Sequence, residues 1–250
     1  MFAELFLERL DQVPSLNKKY SHWLETGKWD EANQTLVRIT CLITEEINAA
    51  GSDLQSLGDL VRRKDCHEAI LLYFASASSW KSVGTLRGMK ACVEKLWEVN
   101  KTMVERSHRA KGLVKYHVIP LMHDIKEDML LVPEKNKEEK CEFEVKAFHC
   151  IAKSYIMVDE QSTAEEIYNE CLARIKEFFG NEADKRQVTG LTLLALGDLH
   201  MEIRVDDAIS YYNRAVDAYK YSVEDTGRSF GIKVCKLKIE RAQKSRFESK

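Results

Sequence analysis

After Pro14 the apolar side chains fall at Leu16, Tyr20 and Trp23, and after a short break at Trp29, Ala32, Leu36 and Ile39. Steps of three and four residues place one apolar side chain per turn on one face of a helix. Gly27 stands between the two runs, where a chain leaving one helix needs a residue tolerant of positive φ. The pattern predicts two antiparallel helices joined by a tight turn. From Gly88 to Leu121, the residues Cys92, Leu96, Val99, Met103, Ala110, Leu113, His117 and Leu121 keep a helical period and predict one or two long helices, kinked or ended by Pro120. SFGIKVCKLKIERAQKSRFESK, at 229–250, predicts a last helix with a modest stripe of Phe230, Val234 or Cys235, Leu237 or Lys238, and Arg241 or Ala242.

The chain also repeats itself. SLGDLVRRKDCHEAILLYFAS at 56–76 aligns without a gap on ALGDLHMEIRVDDAISYYNRA at 195–215. Leu57, Gly58, Asp59, Leu60, Ala69, Ile70, Tyr73 and Ser76 match Leu196, Gly197, Asp198, Leu199, Ala208, Ile209, Tyr212 and Ala215. A further unit at 148–172 sets Ile151, Ala152 and Tyr155 before Ala164, Tyr168 and Cys171. Small residues let two helix backbones approach at a crossing, and tyrosines fill the wider part of the seam.

These residues resemble the tetratricopeptide (TPR) family, whose unit is a helix, a turn and a second helix. Its Leu-Gly pair is matched by Leu57-Gly58 and Leu196-Gly197, and its second-helix alanine by Ala69, Ala164 and Ala208. GKWDEANQTLVRI at 27–39 is similar to the turn and second helix of another unit. The family's closing proline is missing, and the units are interrupted. The resemblance implies an all-α, TPR-like solenoid of antiparallel helix pairs, as one stack or as two lobes. On that reading 1–132 is an N-terminal lobe with the long central helices, 133–142 (PEKNKEEKCE) a linker, and 143–250 a C-terminal lobe with a basic capping helix.

The resemblance further implies a non-catalytic scaffold or adaptor that holds a peptide or helix in a concave groove lined by the first helices. Its contact candidates are Asn17, Ser21 and Glu25; Gln55, Asp59 and Arg63; Lys153; and Asp198 and Glu202. Asp59 and Asp198 are equally open to a structural role tying adjacent repeats. They stand where the family's carboxylate clamp has Asn, so the expected groove is acidic and prefers a basic or neutral segment.

Composition agrees with helices. Of 250 residues 44% are hydrophobic and 31% charged, with 11 Gly and 3 Pro, too few breakers for a turn-rich β fold. Seven cysteines, an odd number without short paired spacings, fit a reducing compartment better than a disulfide framework or zinc site. The start MFAELFLERL does not read as a secretory leader, and the apolar run Leu191 to Leu196 is too short to cross a membrane. The expected location is the cytoplasm, with the nucleus left open.

Charge is unevenly placed. Residues 1–60 hold 10 acids against 5 bases, whereas 228–250 hold 8 bases against 2 acids. Lys101, Arg106, Arg109, Lys111 and Lys115, with Lys236 and Arg241 of the last segment, are candidates for a basic surface. Nucleic acid or an anionic membrane is therefore an alternative partner. No nucleotide-binding, hydrolase or zinc-protease motif occurs. His117, His123 and Asp124 are the nearest thing to a catalytic cluster, with Pro120 interrupting their register, and His149-Cys150 reads as seam packing. An enzyme with an unrecognised His and carboxylate site is the remaining alternative; no cofactor or metal is implied.

Overall fold

The computed structural model describes residues 12–108, 110–133, 136–222 and 228–248, and every regular element among them is helical. Helix α1 (Gln12–Glu25) is followed by α2 (Trp29–Val61), α3 (Cys66–Ser82), α4 (Leu86–Arg106) and α5 (Ala110–Leu113). A π-helical turn at Val114–Val118 leads into α6 (Ile119–Leu131), then come α7 (Lys137–Met157), α8 (Gln161–Phe179), α9 (Gln187–His200), α10 (Val205–Tyr221) and α11 (Arg228–Glu248). Helices adjacent in sequence pack on each other, α1 on α2, α2 on α3, α7 on α8, α9 on α10 and α10 on α11. Such pairing is the arrangement of helical repeats in general. Two compact units divide the chain, residues 1–95 and 96–250.

In the first unit, Gly27 takes φ +71° between α1 and α2, as the sequence pattern requires. Leu16, Ala32 and Ile39 are buried, but Trp29 is 65% exposed and Leu36 43% exposed. The packed face of α2 is thus narrower than the expected one. This helix runs for 33 residues, so SLGDL is not the start of a new helix but the end of a long one. Gly51 weakens that helix locally by about 1 kcal/mol relative to Ala. It is nevertheless required, because a Cβ there would stand 2.8 Å from the Trp80 indole of α3.

The central segment breaks after Arg106 and again widens at the π turn. Pro120 lies in the first turn of α6. A proline has no N–H to donate, and its ring clashes with the carbonyl four residues back. The π turn, in which the Ile119 N–H donates to the Val114 carbonyl, accommodates it by local widening rather than by ending the helix.

In the second unit, Asn136 accepts from the Glu138 and Glu139 amides at 3.1 and 3.2 Å and starts α7 within the stretch expected as a linker. The inward face of α11 differs from the expected stripe. Gly231, Cys235 and Ala242 are buried, while Phe230 is 73% exposed and Leu237 is also exposed. A Cβ on Gly231 would lie 2.7 Å from the Tyr219 ring, so the seam selects small residues where the sequence pattern favours large ones.

The internal repeat is larger than the aligned stretch. A constant offset relates Gly51, Gly58, Asp59, Ala69, Tyr73 and Trp80 to Gly190, Gly197, Asp198, Ala208, Tyr212 and Tyr219. A second offset, four residues longer, relates Gly88, Cys92 and Lys95 to Gly231, Cys235 and Lys238. In each copy an aromatic ring of the middle helix lies against two glycines of its neighbours: Trp80 against Gly51 and Gly88, Tyr219 against Gly190 and Gly231. Each copy is therefore a three-helix module, formed by α2, α3 and α4 up to Lys95 in the first unit and by α9 to α11 in the second. Beyond the shared positions the third helices diverge: buried Val93 and Leu96 of α4 correspond to exposed Lys236 and half-buried Ile239 of α11. A polar outer face is what a capping helix needs.

Candidate functional site

The two modules show what happens to the expected contact residues Asp59 and Asp198. Asp59 Oδ1 accepts from the Tyr73 hydroxyl at 2.7 Å and lies 3.1 Å from Lys95 Nζ. Asp198 Oδ1 accepts from the Tyr212 hydroxyl at 2.8 Å and from Lys238 Nζ at 2.6 Å. Each carboxylate joins the first helix of its module to the second and third. Their charge is matched by a lysine, so neither makes its surroundings strongly acidic.

The repeat unit at 148–172 lacks this clasp. Lys153 follows Ala152 as Asp59 follows Gly58, which puts a cation where the modules carry an anion. Its side chain is exposed, and its Nζ lies 5.2 Å from the centre of the Trp97 ring on α4. Around this contact, within residues 96–250, a cleft of about 380 Å³ opens between α4 and α7. Trp97, Lys101, Val104 and Glu105 line it from α4, and Lys153, Ile156 and Met157 from α7. The spacing of four, three and one on α4, and of three and one on α7, keeps each set on one helix face.

Beside the lining residues, Asn100 Nδ2 donates to Ser154 Oγ at 3.1 Å, and Ser154 donates to the Cys150 carbonyl at 2.9 Å. Both side chains are buried. This bond fixes α4 against α7 and holds Lys101 and Lys153 at the cleft. Among the described residues Lys101 has only a long contact, 3.8 Å to Glu105, with both side chains more than half exposed, which is worth little in water. Nearby, burial pushes the His149 imidazole down to about 3, and the positive charges of Lys153 and then Lys146 push the same way. His149 is therefore neutral at physiological pH, with Nε2 2.9 Å from Thr192 Oγ1 and its ring edge-on to Tyr168.

The other expected contact residues are dispersed. Asn17, Ser21 and Glu25 lie exposed on α1, Gln55 half-buried on α2, and Arg63 and Glu202 exposed in the turns after α2 and α9. Of that set only Lys153 enters the cleft. Among the basic candidates, Lys111 pairs with Asp159 and Lys115 with Glu160, and the hydrogen bond to Glu160 raises the Lys115 pKa. Arg106 ends α4, Lys236 and Arg241 are exposed on α11, and Arg109 lies outside the described residues.

His117 is exposed, whereas His123 is half-buried with Nε2 3.3 Å from the Tyr155 hydroxyl oxygen. Burial, then the charge of Lys126, lowers the His123 pKa. Among the described residues no group of three His, Cys, Asp or Glu is placed to hold a metal ion, and no helix is long and apolar enough to cross a membrane. All seven cysteines are free thiols.

Sequence reasoning missed Trp97, Val104, Ile156 and Met157. The i, i+4, i+7 set of Trp97, Lys101 and Val104 was a helical-face signal for half the cleft, but nothing in the spacing pairs it with Lys153. A scan against protein-family models returns no match, and no curated protein sequence matches the chain.

Proposed function

We propose that the chain is a non-catalytic protein-binding scaffold or adaptor subunit of an intracellular complex, built from TPR-like helix pairs. The observation that carries this reading is the open cleft between α4 and α7, with an apolar floor and charged rim on two helices fixed by the Asn100 to Ser154 bond. A pre-ordered surface of this kind binds without a large ordering cost. The repeated clasps support the TPR-like part: a glycine under a tyrosine ring and an alanine one turn before that tyrosine recur in both modules. Seven free thiols, five of them buried, suit a reducing compartment.

Chemical crosslinking of the full chain in cell extract, followed by mass spectrometry, tests the reading. The expected result is a reproducible protein partner crosslinked through Lys101 or Lys153. Recovery of no partner, or turnover of a small molecule that survives loss of the cleft, overturns it.

A further inference from the structure

The cleft carries a specific electrostatic vacancy that the two modules define by contrast. In each module a carboxylate on the first helix receives a lysine ammonium from the third, and the apolar ring of a tyrosine lies alongside. In the cleft the ammonium groups of Lys101 and Lys153 line an apolar floor of Trp97, Val104, Ile156 and Met157. Glu105 is the one acid among the lining residues, leaving an excess of one positive charge. It reaches Lys101 only at 3.8 Å, and among the described residues Lys153 has the face of Trp97 rather than a carboxylate. Two cations beside an apolar floor are attracted to an anion that arrives attached to an apolar group.

We propose that this cleft binds a protein segment in which an Asp or Glu neighbours an aliphatic side chain, the carboxylate taking the lysines and the aliphatic group entering between Trp97 and Met157. The proposal rests on the scaffold reading and names its partner's chemistry. The lining runs from Trp97 to Glu105 on α4 and from Lys153 to Met157 on α7, about 12 Å and 6 Å of helix. That length seats one or two side chains, so the occupant is a short linear segment rather than the full face of a long helix. This proposal departs from the sequence-based expectation of an acidic groove selecting a basic segment: Asp59 and Asp198 are paired with Lys95 and Lys238, while Lys101 and Lys153 line the cleft.

Fluorescence anisotropy with three labelled peptides on the full chain tests it: Glu-Leu-Glu-Leu-Glu, its charge-reversed form Lys-Leu-Lys-Leu-Lys, and the apolar-deleted Glu-Ala-Glu-Ala-Glu. The expected order is tightest binding by the first, with at least about a tenfold loss for each of the other two, the scale of one lost charge contact or buried side chain. Lys153→Met and Lys101→Met, which keep the apolar stem, weaken the first peptide. Lys153→Glu combined with Lys101→Glu moves the preference to the lysine peptide, a gain that a misfolded variant cannot produce. Circular dichroism confirms that the helices persist. Equal or tighter binding of the lysine peptide by the unaltered protein overturns the proposed chemistry, as does failure of all three peptides to bind. The scaffold reading fails separately, through the crosslinking experiment.

Discussion

The Tyr73 hydroxyl donates to Asp59 Oδ1 at 2.7 Å, and Tyr212 donates to Asp198 Oδ1 at 2.8 Å in the other unit. In each case the same oxygen also faces a lysine of the next helix. Each carboxylate thereby ties together three helices of its module. Replacing Asp198 with Ala strands the Tyr212 hydroxyl and should cost about 1–2 kcal/mol. Asp198→Asn retains an oxygen acceptor and should cost less. The Lys238 contribution is small, because both side chains are substantially exposed. Urea unfolding of the two variants measures the difference, and equal stability of Asp198→Ala and the parent would refute the clasp.

Gly197 is the tightest point of the second module, with the Tyr212 ring occupying the space of a Cβ. Gly197→Ala should destabilise by about 1–3 kcal/mol through overpacking, even though Ala is the better helix former. In a Tyr212→Ala background the ring is gone and the same change should be close to neutral. A double-mutant cycle by denaturant unfolding measures this coupling; additive effects would show that ring and glycine do not conflict.

His149 links stability to pH. Its pKa is lowered to about 3 in the fold against an ordinary 6.5, chiefly by burial, so between those values the unfolded chain binds the extra proton. The stabilisation from keeping the imidazole neutral is intact above about 6.5 and is lost as pH falls toward 3, by at most about 1.4 kcal/mol per pH unit. His123, also lowered by burial, acts with the same sign. His149→Gln should flatten the stability profile between about pH 6.5 and 5, a window chosen above the ordinary carboxylate range. An unchanged slope in urea melts would exclude His149 as its source.

The cysteines should separate into two classes. Cys41 is exposed and Cys66 partly so. Burial raises the thiols of Cys92 and Cys235 to about 11 and that of Cys141 to about 12, and it also raises Cys171. The thiolate is the reactive form, so iodoacetamide at neutral pH should label Cys41 first, then Cys66, and reach the other five only on unfolding. Peptide mapping after timed labelling checks the order; early labelling of Cys92 or Cys171 would contradict the packing.

Much of the local structure was legible because a helix writes its own period into the chain. The turn at Gly27, the helices flanking it and the equivalence of Gly58 with Gly197 follow from spacings of three and four and from an ungapped repeat. The third helix of each module was missed for a definable reason. From the second helix to the third the offset between the copies grows by four residues, so Gly231, Cys235 and Lys238 fall out of register with Gly88, Cys92 and Lys95 in an ungapped comparison. The repeat pattern marks Lys153 but carries no sign of Trp97, whose ring lies under its ammonium from a different helix.

The sequence by itself determined that the described chain is helical and that a glycine and tyrosine seam is used twice, because both depend on residues within a turn or a single helix pair. Only the tertiary structure decided that Asp59 and Asp198 pair with a tyrosine and a lysine of their own modules, that α2 continues through the start of the repeat, and that Lys101 and Lys153 line one apolar cleft. Those outcomes depend on where separate helices cross. Helix crossing is set by turn length and by the bulk of side chains far apart in sequence, and periodicity along one helix carries no record of its distant neighbours.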